Sequence, residues 1–266
     1  MPFAPIPGGT LYYEKSGAGP PLLLVPGLAG SARFWRLQVP RFAEHFTVIA
    51  HDHRSVDRSS RDEISYSIEQ MAADALALMD HLDIGSAALI GQSTGGAIGQ
   101  HLAATHPDRI SQLVLSSTWT HADAYFTRLF ELRRDLLLKA GIDMYTRAGS
   151  LLLYTPEWLR EHDREVVAAE AQSPASASSS HIMVSRIEAL LRFDGRALAP
   201  RIRCPALVIA ALDDQVTPAY FSRALAQAIP GAQLALLDSG GHFLPIVEAD
   251  RYTQTVLRFL SSSQRN

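Results

Sequence analysis

Five short apolar runs set the strongest limit on what this chain can fold into. Leu22–Val25, Phe46–Ala50, Ser86–Ile90, Gln112–Leu115 and Ala206–Ala210 lack the polar alternation of a half-exposed strand. A strand that is apolar throughout is covered on both faces, as in a parallel sheet. Helical patterns separate the runs. The clearest is Ser67–Leu82, where Ile68, Met71, Ala75, Leu78, Met79 and Leu82 form one stripe, Ser67 stands at the N-cap position and Gly85 follows the end. Thr10–Glu14 reads as one arm of an antiparallel hairpin, and Gln233–Leu237 as a further strand before a last helix over Ala249–Leu260. Such alternation predicts an α/β fold with a mostly parallel, doubly wound sheet.

The alternation stops between about Thr120 and Pro200. Helices are expected over Asp123–Ala140, Asp143–Leu153, Pro156–Ala171 and His181–Phe193, with a loop at the Ser/Ala-rich stretch Ser173–Ser180. A helical block between two strands of one sheet predicts a cap over the strands' C-terminal edge, where open α/β folds bind ligands. The expected division is a core over 1–119, a helical cap over 120–200 and the rest of the core over 201–266.

Composition narrows the function classes. A chain of 266 residues buries roughly 70–75% of its unfolded surface, enough for one large core and a lid. The net charge of −3, from 24 basic and 27 acidic residues, leaves no nucleic-acid footprint. The longest apolar stretches, Pro20–Gly30 and Pro205–Leu212, fall short of the ~20 residues of a membrane span. No basic segment leading into an apolar one opens the chain, so the sequence predicts a soluble, cytoplasmic protein with a small-molecule substrate. A homo-oligomer is left open. The lone Cys204 excludes an internal disulfide and a Cys-based zinc site.

The chemistry concentrates at three strand ends. Gly91-Gln92-Ser93-Thr94-Gly95 matches G-x-S-x-G, a pentapeptide that chance alone supplies in about one chain of this length in ten. Its position between a strand and a helix is what a nucleophile elbow requires, and no phosphate-loop lysine accompanies it. A serine hydroxyl needs a base, and His242 supplies one in the loop Ser239-Gly240-Gly241-His242-Phe243, after the strand Gln233–Leu237. An acid should orient the imidazole from an intervening strand end. Asp214, after the strand Ala206–Ala210, is the choice, with Asp213 as the fallback. Two backbone amides should hold a tetrahedral oxyanion. Thr94, at a helix N-terminus, and Leu28, in Pro26-Gly27-Leu28-Ala29-Gly30, are the candidates, because Pro26 has no N–H.

With the order Ser93, Asp214, His242 in place, the sequence resembles the α/β-hydrolase superfamily over nearly its whole length. Within it, the chain is similar to the group of 3-oxoadipate enol-lactonases and aminoacrylate hydrolases. Tyr66–Ala73 resembles the helix entry of both, and Leu153–Trp158 and Arg201–Pro205 resemble the aminoacrylate-hydrolase cap and cap exit. Two departures stand out. Relatives show His-Gly where this chain has Pro26-Gly27, and glycines where it has Ser55 and Asp57.

Phe34, Trp35, Trp119, Tyr154 and Trp158 are candidates for the substrate pocket. Among the cap arginines Arg133, Arg134, Arg186 and Arg192, one facing inward would hold a substrate carboxylate, and Arg133 is chosen. Arg54 reads as a structural ion-pair residue. His51-Asp52-His53 offers too few ligands for a metal and reads as loop scaffolding. The sequence therefore predicts a serine hydrolase without metal or cofactor, cleaving a small ester, enol-lactone or activated amide or enamine through an acyl-enzyme. General carboxylesterase, carbon–carbon hydrolase and perhydrolase activities are the alternatives, and in the enamine and carbon–carbon cases water is a candidate attacker in place of Ser93. A receptor that keeps the triad without useful turnover is the other class these residues allow.

Overall fold

The computed structural model describes residues 2–176 and 179–262. Eight strands form one sheet: β1 (Phe3–Ile6), β2 (Gly9–Ser16), β3 (Pro21–Val25), β4 (Thr47–His51), β5 (Ala87–Gln92), β6 (Ile110–Ser116), β7 (Ala206–Ala211) and β8 (Gln233–Leu237). Their order is β1-β2-β4-β3-β5-β6-β7-β8. β1 and β2 are antiparallel, as is β2 against β4, and every later pairing is parallel. All of the apolar runs are strands, and the pleat explains their lack of alternation. Leu23 and Val25 point into one core cluster while Leu22 and Leu24 point into the other. Each fully buried leucine contributes about 2 kcal/mol.

The helices are α1 (Val39–Phe42), α2 (Ile68–His81), α3 (Thr94–Thr105), α4 (Ala124–Leu153), α5 (Pro156–Ser176), α6 (Ser180–Arg192), α7 (Ala219–Ala228), α8 (Leu244–Val247) and α9 (Ala249–Ser262). α2, α3 and α7 cover one face of the sheet, α1 and α9 the other. Ser67 caps α2, its Oγ accepting the Gln70 N–H at 3.1 Å, a contact that stabilises such a helix by about 1 kcal/mol. No helix among the described residues is long and apolar enough to cross a membrane.

Helices α4, α5 and α6 lie between β6 and β7. The two helices expected over 123–153 are the halves of α4, which breaks at Gly141 (φ +83°). One expectation needs correction. Ser173–Ser180 is not loop throughout, because α5 continues to Ser176 and α6 begins at Ser180, while 177–178 lie outside the described residues. Serine and alanine are common in linkers, but neither side chain forbids a helix.

The helical insertion bonds to loops that follow strands. The Tyr125 hydroxyl donates to the Gln215 carbonyl after β7, and the Arg186 guanidinium donates to the Arg54 carbonyl after β4. The Phe243 N–H, after β8, donates to the Leu153 carbonyl at 2.8 Å. These contacts seat the insertion over the C-terminal end of the parallel sheet.

Candidate active site

Ser93 occupies the single residue between β5 and α3, with φ +53° and ψ −114°. A non-glycine residue in that region costs of order 1–3 kcal/mol and persists only where its surroundings enforce it. Here they do. The Ser93 N–H donates to the Ser116 carbonyl at 2.8 Å, and its own carbonyl accepts from Thr118 Oγ1 at 2.8 Å and the Gly96 N–H at 2.9 Å. The flanking glycines are steric necessities. A Cβ on Gly91 would stand 2.2 Å from the Gly95 carbonyl oxygen, and one on Gly95 would stand 2.1 Å from that of Val25.

His242 Nδ1 lies 2.9 Å from Asp214 Oδ2 and 3.1 Å from Oδ1, and both side chains are buried. A carboxylate accepts only, so Nδ1 carries the proton and Nε2 of the neutral ring is left as a lone-pair base. Asp214 Oδ1 also accepts the backbone N–H groups of Val216 (2.8 Å) and Thr217 (2.9 Å), and Oδ2 accepts Thr217 Oγ1 at 2.9 Å. Burial alone would raise its pKa, but the adjacent imidazole and the donated hydrogen bonds outweigh burial and hold it below the usual carboxylate value. Asp213, the fallback, faces elsewhere. It accepts Ser239 Oγ at 2.8 Å and the N–H groups of Gly240 (3.3 Å) and Gly241 (2.9 Å), fastening the loop that carries the histidine.

The turn after β3 closes with the Gly30 N–H donating to the Gly27 carbonyl at 3.0 Å. Among the described residues, neither the Leu28 nor the Thr94 amide has a hydrogen-bond acceptor. Leu28, Ser93 and His242 line one cavity of about 70 Å3, together with Gly27, Gln92 and Phe34. Leu28, Arg133, Leu153 and Phe243 also line a second, outer cavity of about 300 Å3. The shared walls make these an inner and an outer chamber.

The structure sorts the pocket candidates. Phe34 lines the inner chamber, Tyr154 the outer one and Arg133 both. Trp35 and Trp119 line neither and are corrected to core residues. Both are fully buried, Trp119 tilted against Phe126 and edge-on to Phe193 and Trp35 edge-on to Phe34, so their size serves packing. Trp158 also lies off both chambers, stacked between Tyr154 and His162. Of the four arginines, Arg186 sits over the Tyr66 ring at 4.4 Å, Arg192 donates to the Tyr66 carbonyl at 3.0 Å and Arg134 approaches Asp135. Arg133 is buried and donates to the Tyr145 hydroxyl at 2.9 Å. Its Nε lacks a partner, and no carboxylate pairs with it among the described residues.

Arg54 grips Asp74 through Nε (2.9 Å) and Nη2 (2.6 Å), an ion pair away from both chambers. Ser55 and Asp57 take the left-handed conformation that glycine would favour, at φ +59° and +45°. Ser55 Oγ bonds the Asp62 N–H and the Tyr66 hydroxyl, while Asp57 borders the outer chamber opposite Arg33. No group of three or more His, Cys, Asp or Glu among the described residues is placed to hold a metal. Gln92 and Phe243 escaped the sequence reading. Gln92 Nε2 donates to the His242 carbonyl at 3.2 Å, and its place inside the motif beside Ser93 was the available signal.

Known proteins share this fold. The alpha/beta hydrolase fold family matches residues 20–249. A protein of Azorhizobium caulinodans, named provisionally as carbamate hydrolase RutD, is 39% identical over 259 residues, spanning 97% of this chain and 98% of its own. The enol-lactonase from Burkholderia xenovorans LB400 superposes with a TM-score of 0.91 at 31% identity, covering 98% of this chain and 100% of that one. A thermophilic esterase from Thermogutta terrifontis, solved with malate bound, gives 0.87 at 26% identity over 99% of this chain and 97% of its own. From the elbow between β5 and α3 to these full-length likenesses, the chain belongs to the α/β-hydrolase fold family and is a hydrolase.

Proposed function

We propose that this hydrolase cleaves a small, carboxylate-bearing ester, enol-lactone or activated amide or enamine through an acyl-enzyme on Ser93. His242 Nε2 takes the Ser93 Oγ proton as Oγ attacks the carbonyl carbon. The N–H groups of Leu28 and Thr94 receive the oxyanion, with the N-terminus of α3 adding favourable field. The leaving group departs with the proton held by His242. Water, deprotonated in turn by His242, then releases the acid and restores Ser93. Asp214 fixes the tautomer and orientation of the imidazole and offsets its charge when protonated.

The observation that carries this reading is the chamber wall shared by Ser93, His242 and Arg133. A buried guanidinium with an unsatisfied Nε and no carboxylate partner among the described residues is a costly arrangement that a bound carboxylate would relieve. An outer chamber of about 300 Å3 suits a small metabolite. The names borne by the relatives fit the same chemistry, since the carbamate, the enol-lactone and the bound malate are small and anionic or carbonyl-centred. In this reading the helical insertion serves as the cap that closes both chambers.

A fluorophosphonate titration tests the proposal. One equivalent should label Ser93 and abolish turnover of a p-nitrophenyl ester, and Ser93→Ala should take up no label. A folded parent protein that resists labelling would overturn it.

A further inference from the structure

The turn that carries the Leu28 amide is held from outside by the loop after β4. His53 Nε2 lies 3.0 Å from the Pro26 carbonyl oxygen. The His53 backbone N–H donates to the Gly30 carbonyl at 3.3 Å, and Asp52 Oδ1 accepts the Ala32 N–H at 2.9 Å. Asp52 is itself gripped by Arg58, through Nε at 2.8 Å and Nη2 at 2.9 Å. The anchors at Pro26, Gly30 and Ala32 therefore bracket Leu28 on both sides.

Peptide geometry makes the Pro26 anchor consequential. The Leu28 N–H belongs to the peptide plane of the Gly27 carbonyl, which the Gly30 N–H holds from one side. The preceding plane ends in the Pro26 carbonyl. Gly27 joins the two planes and has no side chain to limit its rotation. That plane also carries the Gly27 N–H, which has no acceptor among the described residues, so the bond between the His53 ring and the Pro26 carbonyl is what fixes its orientation. We propose that His53 is a positioning residue for the oxyanion site, holding the Pro26 carbonyl so that the Leu28 N–H points at the developing negative charge.

The protonation state required is the one the surroundings impose. Pro26 O can only accept, so Nε2 must carry the hydrogen and the ring serves in its neutral form. Burial, with the His51 ring and the Arg186 guanidinium nearby, keeps the His53 pKa well below its ordinary value, while the bond to Pro26 opposes the shift. The His51 ring stands 5.2 Å from it, centroid to centroid. Neutral His53 therefore donates across the range in which a serine hydrolase is assayed.

The inference rests on the Ser93 acyl-enzyme reading, and the two can fail separately. His53→Leu removes the donor, whereas His53→Gln places an amide N–H close to the position of Nε2. With a p-nitrophenyl ester, His53→Leu should lower kcat by about 10- to 100-fold with KM little changed, because a misaimed amide weakens only transition-state binding. His53→Gln should recover to within a few-fold of the parent. Affinity for an alkyl boronic acid, which forms a tetrahedral adduct on the serine, should fall in the leucine variant by the same factor as kcat, while affinity for the carboxylic acid product stays constant. A purely structural role predicts loss of melting temperature with kcat per labelled Ser93 intact, and that result overturns the inference. So does a boronate affinity that does not follow kcat. Failure of the parent to label would instead remove the Ser93 reading itself.

Discussion

Replacing Asp214 with asparagine alters one atom at the least accessible member of the proposed Ser93–His242–Asp214 triad. Asp214 Oδ1 accepts two backbone N–H groups at 2.8 and 2.9 Å, and Oδ2 accepts Thr217 Oγ1 and His242 Nδ1, both at 2.9 Å. An amide has one oxygen. Keeping it on the two backbone donors turns the NH2 group toward Thr217 and His242. The threonine hydroxyl can rotate to accept, but the imidazole can accept only by moving its proton to Nε2. The nitrogen meant to receive the Ser93 proton is then already protonated. Loss of the correct tautomer lowers kcat by about 10³- to 10⁴-fold, about 4 to 5.5 kcal/mol of activation free energy. Asp213→Asn is the matched control, because Asp213 is exposed and, among the described residues, bonds only Ser239 and the amides of Gly240 and Gly241. It should cost no more than about tenfold, as expected for slight loosening of a loop. Steady-state turnover of a p-nitrophenyl ester, normalised to phosphonate-reactive Ser93 and checked by thermal melting, separates the two variants. An Asp214→Asn enzyme that keeps more than a tenth of parental kcat, or one less damaged than Asp213→Asn, would refute the assignment.

Arg133→Met keeps an unbranched side chain and removes the guanidinium, whose carbon lies 5.3 Å from the Phe130 ring centroid, from both chambers. Esters with a carboxylate in the acyl part should lose about 10- to 100-fold in kcat/KM, while p-nitrophenyl acetate should change less than threefold. Equal losses for both would argue against carboxylate recognition. A separate expectation concerns acid stability. Burial lowers the His51 pKa to about 4, although Asp52 and Asp74 oppose the shift. A histidine whose folded pKa is depressed contributes stability above its unfolded pKa, near 6.5, and that stability drains away as pH falls toward the folded value. By pH 4 the loss from this one ring reaches about 3 kcal/mol. Urea melts of the parent and of His51→Leu at pH 7.5 and 4.5 should show a smaller pH dependence in the variant, and identical dependences would exclude the mechanism.

Much of this molecule is legible in its sequence for a specific reason. Residues such as Leu22–Val25 are apolar on both sides because both faces of the sheet are covered, and no other common element has that signature. Ser93 and His242 are legible because strained turns demand glycine at fixed offsets, and steric demand survives in a one-dimensional string. The choice between Asp213 and Asp214 was harder. Neighbouring residues at a strand end point in opposite directions, and a few degrees of loop rotation decide which one meets the imidazole. Pocket membership was the least legible. Trp35 and Trp119 look like pocket residues by size alone, and Leu153, which carries no such signal, reaches both chambers from the end of α4. Its position is fixed by the bond of the Leu153 carbonyl to the Phe243 N–H, between residues far apart in the chain. Ser173–Ser176 illustrates the opposite limit, where linker-like composition is overruled by continuation of a helix already begun.

The place where the helices enter the sheet has an evolutionary consequence. β6 and β7 are parallel neighbours, paired through Leu113 and Ala206, so some crossover between them is obligatory whatever the enzyme does. The helical insertion is that crossover grown long. It creates no new sheet edge, and its two ends are anchored side by side. The stretch between Ser117 and Pro205 can therefore change length without breaking the pairing of β6 with β7. The limit is set where the insertion touches the sheet end, since the Leu153 carbonyl holds the Phe243 N–H beside His242.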